Sequence, residues 1–117
     1  MNKQAREMTD AEEALFRRLL EAPFPGSQAL KEQFRNSLVL PINDNGSLDL
    51  IIEGGPKADV HNSVPVEAEA EDIDGTTIHM LLHVIDGTVR GLEVYKEDSS
   101  RVIKLPAASE LRIFSPP

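Results

Sequence analysis

Residues 65–96 decide the fold, and they read PVEAEAEDIDGTTIHMLLHVIDGTVRGLEVYK. Two Asp-Gly pairs, Asp74-Gly75 and Asp86-Gly87, separate three runs of alternating or β-branched residues. An Asp-Gly pair between such runs is a strong local signal for a β-hairpin. The stretch therefore predicts three consecutive antiparallel strands joined by two tight turns.

The positions of the apolar residues predict the length of the turns, because directly opposed residues in an antiparallel pair share one face of the sheet. A two-residue loop at the first turn would set glutamates opposite core residues. A three-residue loop ending in a left-handed Gly75 instead sets apolar residues opposite each other. We apply the same loop to the second turn, although it sets Arg90 opposite Leu82. The predicted pairs are Ala70 with Ile78, Ala68 with Met80, Val66 with Leu82, Met80 with Leu92 and Ile78 with Val94.

This register gives the three strands two unlike faces. The predicted buried face is aliphatic and holds Val66, Ala68, Ala70, Ile78, Met80, Leu82, Val84, Leu92 and Val94. The opposite face is acidic and holds Glu67, Glu69, Glu71, Thr77, His79, Leu81, His83, Val89, Gly91, Glu93 and Tyr95. We expect function on this second face, with Glu67, Glu69, Glu71, His79, Leu81, Glu93 and Tyr95 as the partner-binding residues.

The flanking segments complete one predicted domain over residues 1–117. Residues 1–8 are polar and expected to be disordered, and residues 9–36 form a helical pair. The first helix starts at a Thr9–Glu12 capping box and runs from about Asp10 to Glu21, and the second is capped by Ser27 and ends near Arg35. Residues 37–114 form an antiparallel sheet, including a strand at 101–105 and a mobile loop at 54–63, and residues 111–114 form either a last edge strand or a packed arm. The predicted class is α+β, with two N-terminal helices packed on one face of a mostly antiparallel sheet of about five or six strands.

The net charge of −8 is concentrated in the middle of the sequence. Residues 44–98 contain 13 acidic and three basic residues, a balance of −10. This excess argues against binding to a phosphate backbone and would attract a basic protein; solubility is the other explanation. No cysteine is present and no apolar run approaches the ~20 residues of a membrane span, so we expect a cytoplasmic protein, monomeric or weakly dimeric, that binds neither membranes nor nucleic acid.

Histidines are the only candidates for chemistry. His79 and His83 share a strand face at a spacing of ~13 Å, too far apart for one metal ion bound at ~2 Å from each ring. The predicted register sets His79 between Glu69 and Glu93, and a neighbouring carboxylate can orient an imidazole for acid–base work. The same arrangement also fits a cross-strand charge pair. We predict no metal, no cofactor and no enzymatic activity.

Four segments carry a family resemblance: Gly46-Ser47-Leu48, Asp72-Ile73-Asp74-Gly75, Leu81-Leu82-His83-Val84 and residues 91–98, GLEVYKED. Over roughly residues 12–106 they resemble a family of small uncharacterised bacterial proteins. The resemblance implies the fold and a bacterial origin but no activity. Small acidic bacterial proteins also include immunity proteins, which bind and neutralise a toxin domain.

Two main functional hypotheses follow, beside a third possibility, a homo-oligomeric structural module that pairs through an edge strand. The first is a non-enzymatic binding protein, most concretely a bacterial immunity protein whose acidic strand face and 54–63 loop dock onto a basic toxin domain. The second is a small enzyme or ligand-binding domain that uses His79, Glu69 and Glu93.

Overall fold

The computed structural model describes residues 4–115, in which two helices cover one face of a six-stranded sheet. Each pair of neighbouring strands is antiparallel, and their order is β1-β2-β5-β4-β3-β6. The predicted α+β class is therefore confirmed. The elements are α1 (Asp10–Leu20), α2 (Ser27–Phe34), β1 (Ser37–Pro41), β2 (Leu48–Ile52), β3 (Val66–Glu71), β4 (Thr77–Ile85), β5 (Thr88–Lys96), a 3-10 turn (Ala108–Glu110) and β6 (Arg112–Phe114).

The two helices begin differently. Thr9 and Glu12 form the predicted capping box, in which the Glu12 N–H donates to Thr9 Oγ1 and the Thr9 N–H donates to Glu12 Oε1. The prediction of Ser27 as the cap of α2 is wrong, because Gly26 occupies the cap position with a φ of 91° and no side-chain cap bond forms. A glycine is required there, since an added Cβ would lie 2.9 Å from Val60 Cγ1.

The first turn of the meander has the predicted three-residue loop. Asp72 N–H donates to the Thr76 carbonyl, and Gly75 has a φ of 85°. The opposed pairs between β3 and β4 are the predicted ones, including Ala68 with Met80. The alternation of apolar residues was sufficient to fix this register.

The second turn is shorter than predicted. Ile85 pairs with Thr88, so the loop contains only Asp86 and Gly87, with φ values of 52° and 76°. Positive φ at both loop residues is the type I′ geometry that an Asp-Gly pair favours. The prediction of a three-residue loop here is wrong.

A β-bulge follows this turn. Val84 pairs with Val89 whereas His83 pairs with Gly91, so Arg90 is an extra residue in β5. The bulge leaves Arg90 exposed and lets Leu82 face Leu92 instead. As a result the predicted pairs of Met80 with Leu92 and Ile78 with Val94 are wrong: Met80 faces Val94, and Ile78 faces Lys96.

The division of the sheet into two faces survives this shift. Val89, predicted on the exposed face, is fully buried in the core because the bulge moves it there. All nine residues of the predicted buried face lie in the core: Val66, Ala68, Ala70, Ile78, Met80, Leu82, Val84, Leu92 and Val94.

Two terminal segments differ from expectation. Residues 101–105 form no strand; the Asp72 carboxylate instead accepts hydrogen bonds from the N–H groups of Ile103 and Lys104. The predicted disorder of residues 1–8 falls partly on residues 1–3, outside the described residues. Arg6 is paired with the sheet, because it exchanges two backbone hydrogen bonds with Val39 at 2.7 and 2.9 Å.

Candidate functional site

The sheet face that points away from the helices, called the outer face below, collects the predicted partner-binding residues in two rows. Glu67, Leu81 and Glu93 are directly opposed across β3, β4 and β5. Glu69, His79 and Tyr95 form the next row, and Glu71 stands opposite Thr77 at the end of β3. The seven residues therefore share one face, as the alternation predicted.

His79 lies at the centre of the second row. Its Nδ1 is 3.6 Å from Glu69 Oε2, its Nε2 is 3.4 Å from Glu97 Oε1, and its ring stacks on Tyr95 with centroids 5.0 Å apart. The predicted pairing with Glu69 is present, but the predicted pairing with Glu93 is wrong. The two-residue turn and the bulge shift β5 relative to β4, so Tyr95 stands opposite His79 in the place predicted for Glu93. Glu97, just beyond the end of β5, supplies the second carboxylate.

Glu93 is paired instead with His83, whose Nε2 lies 2.8 Å from Glu93 Oε1. Each histidine of β4 thus has its own carboxylate from the β5 side. This pairing was hidden from sequence reasoning because it depends on the bulge at Arg90.

β6 brings a cation onto the outer face. The Arg112 guanidinium contacts both carboxylate oxygens of Glu71, at 2.7 and 3.1 Å, and lies 3.6 Å from Glu69. The hydrogen bond from Arg112 lowers the pKa of Glu71 below its usual value. Phe114, opposite Glu67, is 45% exposed. An edge strand or a packed arm was predicted at residues 111–114, but not that its arginine would reach these glutamates.

The outer face continues as apolar surface towards β1. Leu38 and Ile51 are opposed to each other, and both are exposed, as is Ile85 at the end of β4. A shallow groove of about 540 Å³ runs between β2 and β5, with Ile51, Ile85 and Arg90 in its lining. Acidic and apolar areas therefore adjoin on one face.

The loop at residues 54–63 is anchored to α2 and to the second turn. The Pro56 carbonyl accepts a hydrogen bond from Gln33 of α2, and the buried Ala58 donates its N–H to the Gly87 carbonyl. Val60 lies against Gly26 at the start of α2. These contacts anchor the loop beside α2 and the second turn, and Lys57 Nζ donates to Thr88 Oγ1 in the lining of the groove between β2 and β5. The contribution of this loop to the docking surface stays a prediction.

One buried charge cluster was missed by the sequence reasoning. Lys96, 1% exposed, faces the core and lies 2.6 Å from Asp74 Oδ2 and 3.2 Å from Asp72 Oδ2. Burial alone would raise the pKa of Asp72, but N–H donors from Ile103, Ile73 and Lys104, together with Lys96, outweigh it and lower the pKa to about 2. The hydrogen bonds of Asp72 to Ile103 and Lys104 hold the first turn against the segment that follows β5.

His79 lies apart from three grooves on the part of the chain that the structure describes. Three grooves of the described surface, of about 550, 540 and 220 Å³, are lined by residues other than His79. Across residues 4–115, no group of three or more histidine, cysteine or acidic side chains is arranged to hold a metal ion. Neither helix in that range has the length and apolar content needed to cross a bilayer.

Comparison with known proteins gives one match. A family model described as a domain of unknown function, DUF6984, matches residues 5–106. No curated protein and no solved structure matches the chain. The matched range contains both helices and the first five strands and stops before β6.

Proposed function

Because the chain belongs to the DUF6984 family, whose function is unknown, we propose its function from the outer face: a non-enzymatic protein that binds a basic partner. Most concretely, it is a bacterial immunity protein that neutralises a basic toxin domain. The observation that carries this proposal is the row in which Leu81 lies between Glu67 and Glu93.

An apolar side chain that lies between two acidic residues is better suited to a protein interface than to exposure in water. Leu81 is half-buried between the two carboxylates, and Tyr95 of the next row is 39% exposed. An aromatic and an aliphatic group can form the core of an interface, while the surrounding charges steer a partner of opposite sign and set its orientation. A basic protein surface has the complementary charge.

The same charges disfavour other partners. A nucleic-acid backbone requires lysines and arginines to neutralise its phosphates, whereas the two central rows of this face hold Glu67, Glu69 and Glu93. The alternative, an enzyme or ligand-binding domain based on His79, has less support because Glu93 is paired elsewhere and none of the three grooves encloses the ring.

A charge-reversal pair tests the proposal. The tagged chain is used as bait in its own cells in three forms: wild type, Glu67→Lys/Glu93→Lys on the outer face, and Glu7→Lys/Glu32→Lys as a control. Both control residues are exposed and without an ion pair among the described residues, Glu7 beside the helices and Glu32 on α2. The two variants change the net charge by the same amount.

The expected partner is retained by the control and lost from the outer-face variant. Its association rate with the outer-face variant should fall about tenfold or more at low salt, because the charges that steer the encounter are reversed. If the partner is a toxin, co-expression of the wild-type chain should restore growth and the outer-face variant should not. Equal retention of every captured protein by the two variants would remove the outer face from the proposal.

A further inference from the structure

The edge of β3 is occupied by a very short strand. β6 contains three residues, and its pairs with β3 are Phe114 with Glu67, Ile113 with Ala68 and Arg112 with Glu69. The family match ends at residue 106, so this pairing lies beyond the matched part of the chain. Residues 5–106 alone would leave β3 as an edge strand with unpaired backbone groups, which is a template for adding another strand.

The side chains of β6 complement the edge that they cover. Arg112 and Phe114 lie on the outer face, where Arg112 contacts Glu71 and Glu69, while Ile113 packs against the core. Strand addition obtains affinity from main-chain hydrogen bonds and specificity from alternate side chains. The pattern that this edge accepts is thus a basic residue, an aliphatic residue and an aromatic residue in sequence.

β6 is held mainly at one end. Leu111 is buried, and its carbonyl is 3.4 Å from Arg18 Nη2. Beyond it, Arg112 and Phe114 are exposed, and the Ser115 hydroxyl donates to the Pro65 carbonyl at 3.2 Å. The bidentate Arg112–Glu71 pair lies on the exposed surface, where water screens it. A competing segment would therefore have to displace only three paired residues.

We propose that the β3 edge is a strand-addition site for an extended basic segment of a partner protein, and that β6 is the chain's own occupant of that site. This inference rests on the proposed function, since it names the part of the partner that meets Glu67, Glu69 and Glu71. A second copy of the chain is a poorer occupant. Its other edge strand, β1, carries no charge, ends in Pro41 and is already paired with Arg6.

A reversible lock on β6 tests the site. Ala68 and Ile113 are directly opposed and the chain contains no cysteine, so Ala68→Cys/Ile113→Cys provides a single disulfide between β3 and β6. A second variant, Arg112→Glu/Ile113→Asp, releases β6 by placing one acid beside Glu69 and Glu71 and another at a core contact, while Leu111 keeps its anchor. The probe is a fluorescent peptide of residues 108–115, ASELRIFS, with a control peptide in which its arginine is replaced by glutamate.

The peptide should bind the released variant at least tenfold more tightly than wild type, because the competing strand is absent. It should not bind the oxidised lock, and reduction should restore binding to the wild-type level or above; the control peptide should bind neither. Equal affinity for the oxidised and reduced lock would overturn the proposal. If the released variant fails to fold, the comparison of peptide binding to the oxidised and the reduced lock is sufficient to test the proposal.

Two further measurements separate this inference from its premises. Glu71→Lys should weaken peptide binding at least tenfold, because it sets a lysine beside the arginine of the peptide, whereas Glu32→Lys on α2 should leave binding unchanged. If the peptide binds but capture of the partner does not change with Glu67→Lys/Glu93→Lys, the strand-addition site is supported and the proposed function is not. Sedimentation showing that the wild-type chain dimerises and that Arg112→Glu/Ile113→Asp is monomeric would indicate exchange of β6 between two copies. That result would replace the foreign partner with a second copy and overturn the assignment.

Discussion

Gln33 gives the sharpest test of how the helices, the 54–63 loop and the sheet are joined. This α2 side chain is 2% exposed; its Nε2 donates to the carbonyls of Pro56 and Gly87 at 2.8 Å, and its Oε1 accepts from the Val89 N–H at 3.0 Å. The Gly87 carbonyl has a second donor, the Ala58 N–H. Removing the amide would therefore leave the Val89 N–H and the Pro56 carbonyl without a partner.

The substitution Gln33→Glu keeps the shape of this side chain and changes only its proton. Protonated, it can accept from Val89 and donate to Pro56, so its stability should be within about 1 kcal/mol of wild type near pH 4. Ionised, it would place a buried negative charge against two carbonyl oxygens. Burial of this kind raises a carboxyl pKa by about 3 units, equivalent to roughly 4 kcal/mol.

The sign of the pH dependence follows from proton binding. The folded pKa of the introduced carboxyl is raised, so above pH ~4 the unfolded chain releases the proton while the folded chain retains it. The free energy of unfolding of Gln33→Glu, relative to wild type, should therefore fall as pH rises from 4 to 7.5. At about 4 °C per kcal/mol for a chain of this size, the melting temperature at pH 7.5 should be lower by roughly 15 °C.

Urea denaturation across this pH range, with two comparison variants, completes the assay. Gln33→Met should cost about 2–5 kcal/mol at every pH, because it leaves two backbone groups unsatisfied and introduces no titrating group. Gln28→Glu, at an exposed position of the same helix, should show neither effect. A pH-independent difference between Gln33→Glu and wild type would show that the side chain is not held between these carbonyls.

Three other changes have defined outcomes. Asp72→Asn should be less stable than wild type above pH ~4, and acid denaturation should show this difference in the free energy of unfolding shrinking as pH falls towards 2. The pKa of Asp72 is lowered to about 2, so the stabilisation by its carboxylate is complete above pH ~4 and is lost over that range. Gly91→Ala should destabilise by about 1–3 kcal/mol in urea, since its Cβ would lie 2.7 Å from the Leu48 carbonyl oxygen; wild-type stability would contradict this close approach. Ser47→Ala should cost about 1–3 kcal/mol, because the buried Oγ accepts from Val94 N–H at 2.8 Å and donates to its carbonyl; amide exchange at Val94 should accelerate, and unchanged exchange would argue against the bridge.

The two Asp-Gly turns explain how much of the fold the sequence could predict. At the first turn, only one loop length sets Ala68 opposite Met80, and the structure has that length. At the second turn, the predicted three-residue loop set Arg90 against Leu82. A bulge resolves this conflict by making Arg90 an unpaired residue. The mismatch at Arg90 was therefore the available signal for the bulge.

Contacts from distant segments account for the other errors. Lys96 continues the core-facing positions of β5, but its burial depends on two aspartates of the first turn that lie 22 and 24 residues earlier in the sequence. The 54–63 loop looked unanchored because its Gly, Pro and Asn residues are typical of exposed loops. Its anchor is Gln33, a residue that sequence reasoning had no basis to place in the interior.

The outer face could be predicted as a surface, but the pairing among its own side chains could not. Glu69 and Glu71 are contacted by Arg112, Glu93 by His83 and Glu97 by His79, whereas Glu67 has no ion pair among the described residues. At Glu69, Glu71 or Glu93, a basic partner would compete with a side chain that already contacts the carboxylate, whereas at Glu67 it would not. Glu67 is also the residue opposite both Leu81 and Phe114. The row that carries the proposed function and the edge that accepts a strand thus meet at Glu67, where charge reversal should affect both.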